Sequence, residues 1–318
     1  MTRKYTLIIL IVIAAVLGVY FYRSATRIET VRVSGAEAAN FKFLFSVIKD
    51  KEFDKKNNLN LEFVWSNPGE VERKLTAKEE GVEVGPYNPI SLAETNLKGA
   101  EQLQSFAPIL YTYYHFIVKA DSKFYTLQDL RGAKIATRPK LSAAYKSLAM
   151  ALKLAGMDLE NDFKLTFGTI PENVKALTTG EADATLMSPP ESVGLLVTGK
   201  YRQIAELENI WERAAGAPMP LVSLTAHKSW IEQNPRKVKR LRKTILDAAT
   251  FIHENPQVIE GYKDLLKIQT DEMLKLMKEG LPSSYPTSWN DAVSHFAIEK
   301  AMEFGFIKSI THEDMFIH

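Results

Sequence analysis

Val31-Arg32-Val33-Ser34-Gly35-Ala36-Glu37 and, about a hundred positions later, Lys134-Ile135-Ala136-Thr137-Arg138-Pro139-Lys140-Leu141 open the same pattern twice. In the first copy, Val31–Val33 reads as a short strand, followed by a loop over 34–37 and an apolar helix over Asn40–Lys51. Leu59–Val64 alternates apolar and polar residues with the period of two that marks a strand. Ser66-Asn67-Pro68-Gly69 then turns into a helix over Glu70–Glu80, which Gly81 closes, and Val82–Pro86 is the third strand. The second copy repeats this order. Lys134–Thr137 is its first strand, Arg138–Leu141 its loop, and Ser142–Ala155 its helix, ended by Gly156. Phe163–Phe167 is its second strand, Pro171-Glu172 opens a short helix closed by Gly180, and Ala182–Met187 runs into Ser188-Pro189. Leu75 answers to Leu177, Gly81 to Gly180 and Pro86 to Pro189.

Two βαβαβ units predict two α/β lobes, because parallel strands need crossover helices that also cover the sheet faces. Ligands of such sheets sit beyond the carboxyl ends of the strands, so two facing edges predict a cleft. Tyr111–Val118 reads as the strand that crosses between lobes and Leu221–Thr225 as the return. The expected division is an N-terminal segment over 1–30, a first lobe of 31–114 plus 226–318, and a second lobe of 115–225. After the return the pattern is helical over Pro235–Glu254, Pro256–Leu266, Thr270–Lys278 and Trp289–Phe304, with Gly305 as a stop. These helices are expected to pack on the first lobe. Gly280, Pro282, Ser283, Ser284 and Pro286 read as a surface loop.

Composition narrows the function. The 318 residues are 46% hydrophobic and 25% charged, as in ordinary globular proteins, and 40 basic against 38 acidic residues leave no basic surplus that asks for nucleic acid. With no cysteine, the chain has no disulfide, no thiolate nucleophile and no lipidated cysteine, so any membrane attachment must come from the polypeptide. Arg3 and Lys4 precede an uncharged, proline-free stretch over Tyr5–Tyr22. Its length matches a spanning helix better than the shorter apolar region of a cleaved signal, and Arg23-Ser24-Ala25-Thr26-Arg27 is a poor cleavage site, so an uncleaved transmembrane anchor is expected. Arginines on both sides leave its orientation undecided by the positive-inside rule.

Over about Val31–Ile307 the chain resembles the nitrate/sulfonate/taurine and thiamine-precursor (NMT1/THI5-like) group of periplasmic solute-binding proteins. The phrases that carry the resemblance are Leu127-Gln128-Asp129-Leu130-Arg131-Gly132-Ala133-Lys134-Ile135-Ala136 and Leu177-Thr178-Thr179-Gly180-Glu181-Ala182-Asp183-Ala184. Trp230-Ile231-Glu232-Gln233-Asn234-Pro235 and Phe251-Ile252-His253-Glu254-Asn255-Pro256 follow in the expected order. The resemblance implies a two-lobed type II periplasmic-binding-protein fold and an extracytoplasmic receptor of an ABC importer. Held at the cell membrane by the N-terminal segment, this receptor is expected to capture a small organic ligand, anionic and sulfonate-, nitrate- or pyrimidine-like, in the interlobe cleft and to present it to permease subunits, and a single tethered receptor needs no self-association, so a monomer is expected. It also implies that Arg3 and Lys4 face the cytoplasm. One departure is Gly81-Val82-Glu83-Val84-Gly85-Pro86, where this group commonly carries a Gly-(Glu/Val)-(Ala/Val)-Asp phrase. Two other readings remain, a membrane-tethered ligand sensor and a pyrimidine-synthase-like enzyme of thiamine biosynthesis. The anchor and the absent cysteine weigh against the enzyme.

The ligand-contacting candidates lie where the predicted strands end. Glu37 and Ser142 stand at two helix starts, whose free N–H groups and dipole suit an anion, and Arg138 adds a guanidinium able to clamp it. Ser142 as a plain cap and Arg138 as a solvated charge are the bland alternatives. Ser66, Asn67, Ser188 and Glu191 follow strands that should reach the cleft, though Asn-Pro and Ser-Pro are also common turn starters. Tyr87 and Asn88, with Trp65, Tyr111 and Tyr114, are the candidate aromatic and polar wall. No catalytic motif is present, and histidines 115, 227, 253, 295, 312 and 318 lack the spacing of a metal site, so neither catalytic residues, nor metal ligands, nor a cofactor are expected. The basic run Arg236–Lys243 keeps Val238, Leu241 and Ile245 on one face and reads as a solvated helix.

Overall fold

The computed structural model describes residues 27–99, 102–310 and 315–317. The anchor expected over Tyr5–Tyr22 lies outside them, and among the described residues no helix is long and apolar enough to cross a membrane.

The first lobe begins with strand β1 (Glu29–Ala36), helix α1 (Ala39–Asp50), the single turn α2 (Phe53–Lys56) and β2 (Leu59–Ser66). Helix α3 (Val71–Thr76), β3 (Val84–Tyr87), α4 (Pro89–Lys98) and β4 (Leu103–Tyr111) follow. The second lobe contains β5 (His115–Lys119), β6 (Lys134–Thr137), α5 (Ala143–Leu154), β7 (Lys164–Phe167), α6 (Ile170–Thr179) and β8 (Ala184–Met187). It closes with α7 (Glu191–Leu196), β9 (Tyr201–Glu206) and α8 (Leu207–Ala215). The chain then returns through β10 (Pro220–His227) to α9 (Lys228–Gln233), α10 (Pro235–Glu254), α11 (Asp271–Gly280) and α12 (Ala292–Glu303).

Two five-stranded sheets result, ordered β2-β1-β3-β10-β4 and β7-β6-β8-β5-β9. Each holds three parallel strands, extended by an antiparallel strand that the chain adds after or before its crossing, β10 in one and β5 in the other. The repeat in the sequence is therefore a repeat in space. Gly81 and Gly180 both sit at positive φ, 70° and 80°, where a side chain would strain the turn, and Leu75 and Leu177 are both fully buried.

The segment Tyr111–Val118 is two strands, not one: β4 ends at Tyr111, β5 starts at His115, and only residues 112–114 pass between the sheets. Leu221–Thr225 is not a crossing. It lies within β10, hydrogen-bonded between β3 and β4, so the return is made just before it, where Gly216 caps α8 at φ 69°. The helix expected over Glu70–Glu80 stops at Thr76, because Lys78 and Glu80 adopt left-handed backbone. Residues 281–285 are a buried turn rather than a surface loop. Tyr285 is 1% exposed, packs on Phe43, and donates its hydroxyl to the carbonyl of Asn40 at 2.9 Å. Helix α10 docks Val238, Leu241, Ile245 and Ile252 into the core that holds Phe41, Phe43 and Phe45 of α1, so the C-terminal helices do pack on the first lobe.

Candidate functional site

Between the sheets lies a cavity of about 110 Å³, on a scale where one water needs roughly 10–15 Å³. It has room for a small molecule. Its walls come from both lobes: Ala36 and Pro86 at strand ends of the first sheet, Leu186 and Met187 at the end of β8 in the second, and Tyr114 of the crossing. Five helices begin at it, since residues 38–41, 71–72, 142–144, 170 and 191 all line it. The pattern explains this convergence. In a βαβ unit every helix starts where a strand has just ended, so the helix N-termini gather at one sheet edge.

Helix N-termini carry unbonded N–H groups unless a side chain caps them. Ser142 and Thr169 cap α5 and α6 through their hydroxyls. Helix α1 has no such cap, because its N-cap is Ala38, which has no acceptor, although within the first turn the Phe41 N–H donates to Asn40 Oδ1 at 2.9 Å. A positive end is thus left open towards the cavity.

Arg138 enters the cavity from the loop after β6 and makes no ion pair or hydrogen bond among the described residues. A cation without a partner in a cleft has kept its five donors for something else. Two carboxylates share the space. Glu72, at the start of α3, accepts the Asn88 N–H at 2.9 Å, and burial pushes its carboxyl up to about 7, against the pull of that bond, of Lys146 and of Ser91. Burial also raises Glu191, which Lys267 and Arg138 pull back. Burial raises the Tyr114 phenol, which interacts with Ser188 and lies in the field of Arg138. Among the described residues the cavity therefore offers one free cation, an open helix end, and two acids that resist losing their protons.

Of the twelve candidates from sequence, Tyr114, Arg138, Ser142, Ser188 and Glu191 meet in this cavity. The other seven do not line it. Glu37 is exposed and pairs with Lys42. Trp65 stacks on Phe63 at 5.0 Å beneath the Lys42 ammonium, and Ser66 is buried with no hydroxyl partner. Asn67 is exposed on the turn. Tyr87 is core: its ring is buried and its hydroxyl bonds Thr76 and Thr95 at 2.8 and 3.0 Å. Asn88 caps α4 through the Ile90 N–H and donates to the Leu221 carbonyl at 2.9 Å, so its polar atoms are committed. Tyr111 stands opposite Pro220 in the β4–β10 ladder.

Glu72, Asn40 and Asn173 line the cavity without having been expected. Asn173 could have been found from the helix start at Pro171-Glu172, which places the next residue within the first turn. Glu72 carried no signal, because Val71-Glu72-Arg73-Lys74 has the look of a solvated helix.

The NMT1/THI5-like family model matches residues 41–259. No curated protein sequence matches the chain. Among solved structures, the periplasmic aliphatic sulphonate binding protein SsuA from Escherichia coli aligns with a TM-score of 0.69 at 17% identity, over 90% of this chain and 95% of that one. The alkanesulfonate-binding protein SsuA from Xanthomonas axonopodis pv. citri, bound to MOPS, gives 0.68 at 15% identity over 90% and 96%. A DszB variant in complex with biphenyl-2-sulfinic acid gives 0.61 at 14% identity over 90% and 95%. These likenesses show the fold, the two-lobed α/β architecture of type II periplasmic binding proteins.

Proposed function

The chain belongs to the NMT1/THI5-like family, and from that premise we propose that it is the extracytoplasmic solute-binding receptor of an ABC importer, tethered by its N-terminal segment. Its ligand is a small organic anion of the sulfonate kind, held between the lobes and presented to permease subunits. The observation that carries this reading is the unpaired Arg138 guanidinium in an interlobe cavity onto which the uncapped start of α1 opens. Arg138 and the α1 N–H groups take the anionic head. Tyr114, Ser188 and Asn173 orient the body, and Glu72 and Glu191 accept from a donor group at its far end. The sulfonate-binding neighbours, one with the sulfonate MOPS bound, support this ligand class.

The test is thermal unfolding of the full chain in mild detergent against sulfonates, taurine, nitrate, carboxylates and thiamine-type pyrimidines. A ligand at 100 times its dissociation constant adds about 2.7 kcal/mol, a rise on the order of 5–10 °C for a protein of this size. A selective rise with sulfonates is expected. A rise with cationic or neutral compounds alone overturns the anion reading, and no rise across the panel overturns the receptor reading for these ligand classes.

A further inference from the structure

A second polar cluster lies outside the cavity, where the chain enters the second lobe. His115 opens β5 and stands directly across the ladder from Glu206, the last residue of β9. Glu208 follows two residues later in the first turn of α8. One ring nitrogen and one oxygen from each carboxylate all lie within 4.8 Å of one another.

The partners of these groups are what single the cluster out. His115 is 4% exposed, and neither ring nitrogen has a hydrogen-bond partner. Glu208 is 9% exposed, and its Oε1 has none either. Buried polar atoms are nearly always satisfied, so an imidazole with neither nitrogen bonded beside a carboxylate oxygen with no partner needs an explanation. The remaining bonds hold the groups in place. The Tyr114 N–H donates to Glu208 Oε2 at 3.2 Å, Gln203 donates to Glu206 Oε1 at 2.6 Å, and Asn209 donates to the other Glu206 oxygen. Such outer contacts are those that orient the ligands of a metal.

We propose that His115, Glu206 and Glu208 bind one divalent cation of the zinc class. Ligand atoms on a tetrahedral zinc stand roughly 3.3–3.6 Å apart, so adjustments of about an ångström in side chains close the site. One imidazole and two carboxylates fill three positions and leave a fourth for water. The spacing of the histidines hid this site because only one histidine takes part and the acids come from ninety residues further on. The cation sits one residue from Tyr114, which lines the ligand cavity, so it braces the three-residue crossing at its second-lobe end.

The test is calorimetric titration of the untagged, metal-stripped full chain with zinc, and of the same protein with cobalt followed by visible absorption. One zinc per chain is expected, with intense tetrahedral cobalt bands that zinc displaces. His115→Ala and Glu208→Gln should each weaken zinc binding by 10-fold or more, and Gln203→Ala by less. Each variant is compared with the wild type by circular dichroism without metal, and Glu206→Gln, altering the least buried of the three side chains, replaces any variant that does not fold. Absence of stoichiometric binding in the wild type overturns the proposal, as does zinc binding that all folded variants retain.

Discussion

Lys146 of the second lobe places its ammonium 2.7 Å from the Glu94 carboxylate of the first lobe, and it donates as well to Ser91 at 2.8 Å. The pair ties α5 to α4 across one side of the cleft, while α7 meets α11 on the other. Only 13% of the Lys146 side chain is exposed, so breaking the pair leaves a largely buried charge with one neutral acceptor. Glu94→Gln should cost about 1–2 kcal/mol, between the values of surface and buried pairs. Urea unfolding measures this, and a loss below about 0.3 kcal/mol would mean that the lobes do not depend on the contact.

Arg138 has the opposite relation to stability. With no partner among the described residues, it contributes no internal bond for a substitution to break. Arg138→Met should leave stability within about 0.5 kcal/mol while weakening an anionic ligand by roughly 2–4 kcal/mol, a factor of roughly 30 to 1000. Calorimetry on the best sulfonate from the panel reads the second effect. An unchanged affinity would place the anion elsewhere.

Asn88 and Tyr87 separate a core role from a ligand role. Asn88→Ala removes the α4 cap and orphans the Leu221 carbonyl, which together should cost about 2–3 kcal/mol. Tyr87→Phe removes one hydroxyl shared with Thr76 and Thr95 and should cost about 1 kcal/mol. Both should leave ligand affinity at the working temperature within a factor of about 3, an effect of under 1 kcal/mol. A selective loss of affinity in a stable Tyr87→Phe would return that ring to the site.

The sequence showed these two residues but hid their role. Asn88-Pro89 is a helix start, with a capping side chain followed by proline at the first helical position, and α4 begins there. Reading them as cleft residues overlooked that helix. The repeat was legible because glycine stops and strand periods depend on nearby residues alone, which is why Gly81, Gly180 and the span of α10 fall where expected. Arg138 and Ser142 were legible because a loop after a parallel strand must lie at the sheet edge. Glu72 was not. Its environment is made by Asn88, Ser91 and Lys146 of other elements, and nothing within six residues of it announces them.

That environment makes stability depend on pH. The Glu72 carboxyl is raised from 4.5 to about 7, so the folded state holds its proton more tightly than the unfolded chain does. The resulting stabilisation is fully present below pH 4.5 and is lost as pH rises through about 7. Glu72→Gln keeps an acceptor for the Asn88 N–H and cannot ionise. It should flatten the fall in stability between pH 5 and 8, leaving the parts due to Glu191 and Glu208, whose carboxyls burial raises as well, that of Glu208 to about 7. Urea midpoints at the two pH values check this, and equal slopes for variant and wild type would mean that Glu72 ionises freely in the fold.

The final prediction concerns Gly35, the residue paired with Trp65 between β1 and β2. The indole lies flat over the glycine, and a Cβ added there would come within 2.6 Å of Trp65 Cε3 and 2.8 Å of Cζ3. No rotation of a methyl relieves that overlap, so Gly35→Ala must move the ring. Moving it breaks the stack on Phe63, the edge contact with Phe41 at 6.3 Å and the cover of Lys42. Trp65 is 36% exposed and can swing into water, which keeps the cost near that of a modest overpacking, about 1–2 kcal/mol. Because Phe41 belongs to the α1 turn that opens on the cavity, the same change should weaken an anionic ligand several-fold. Tryptophan emission should shift to the red as the ring is released. A variant with unchanged emission and unchanged ligand affinity would show that the strand, rather than the indole, yields to the added methyl.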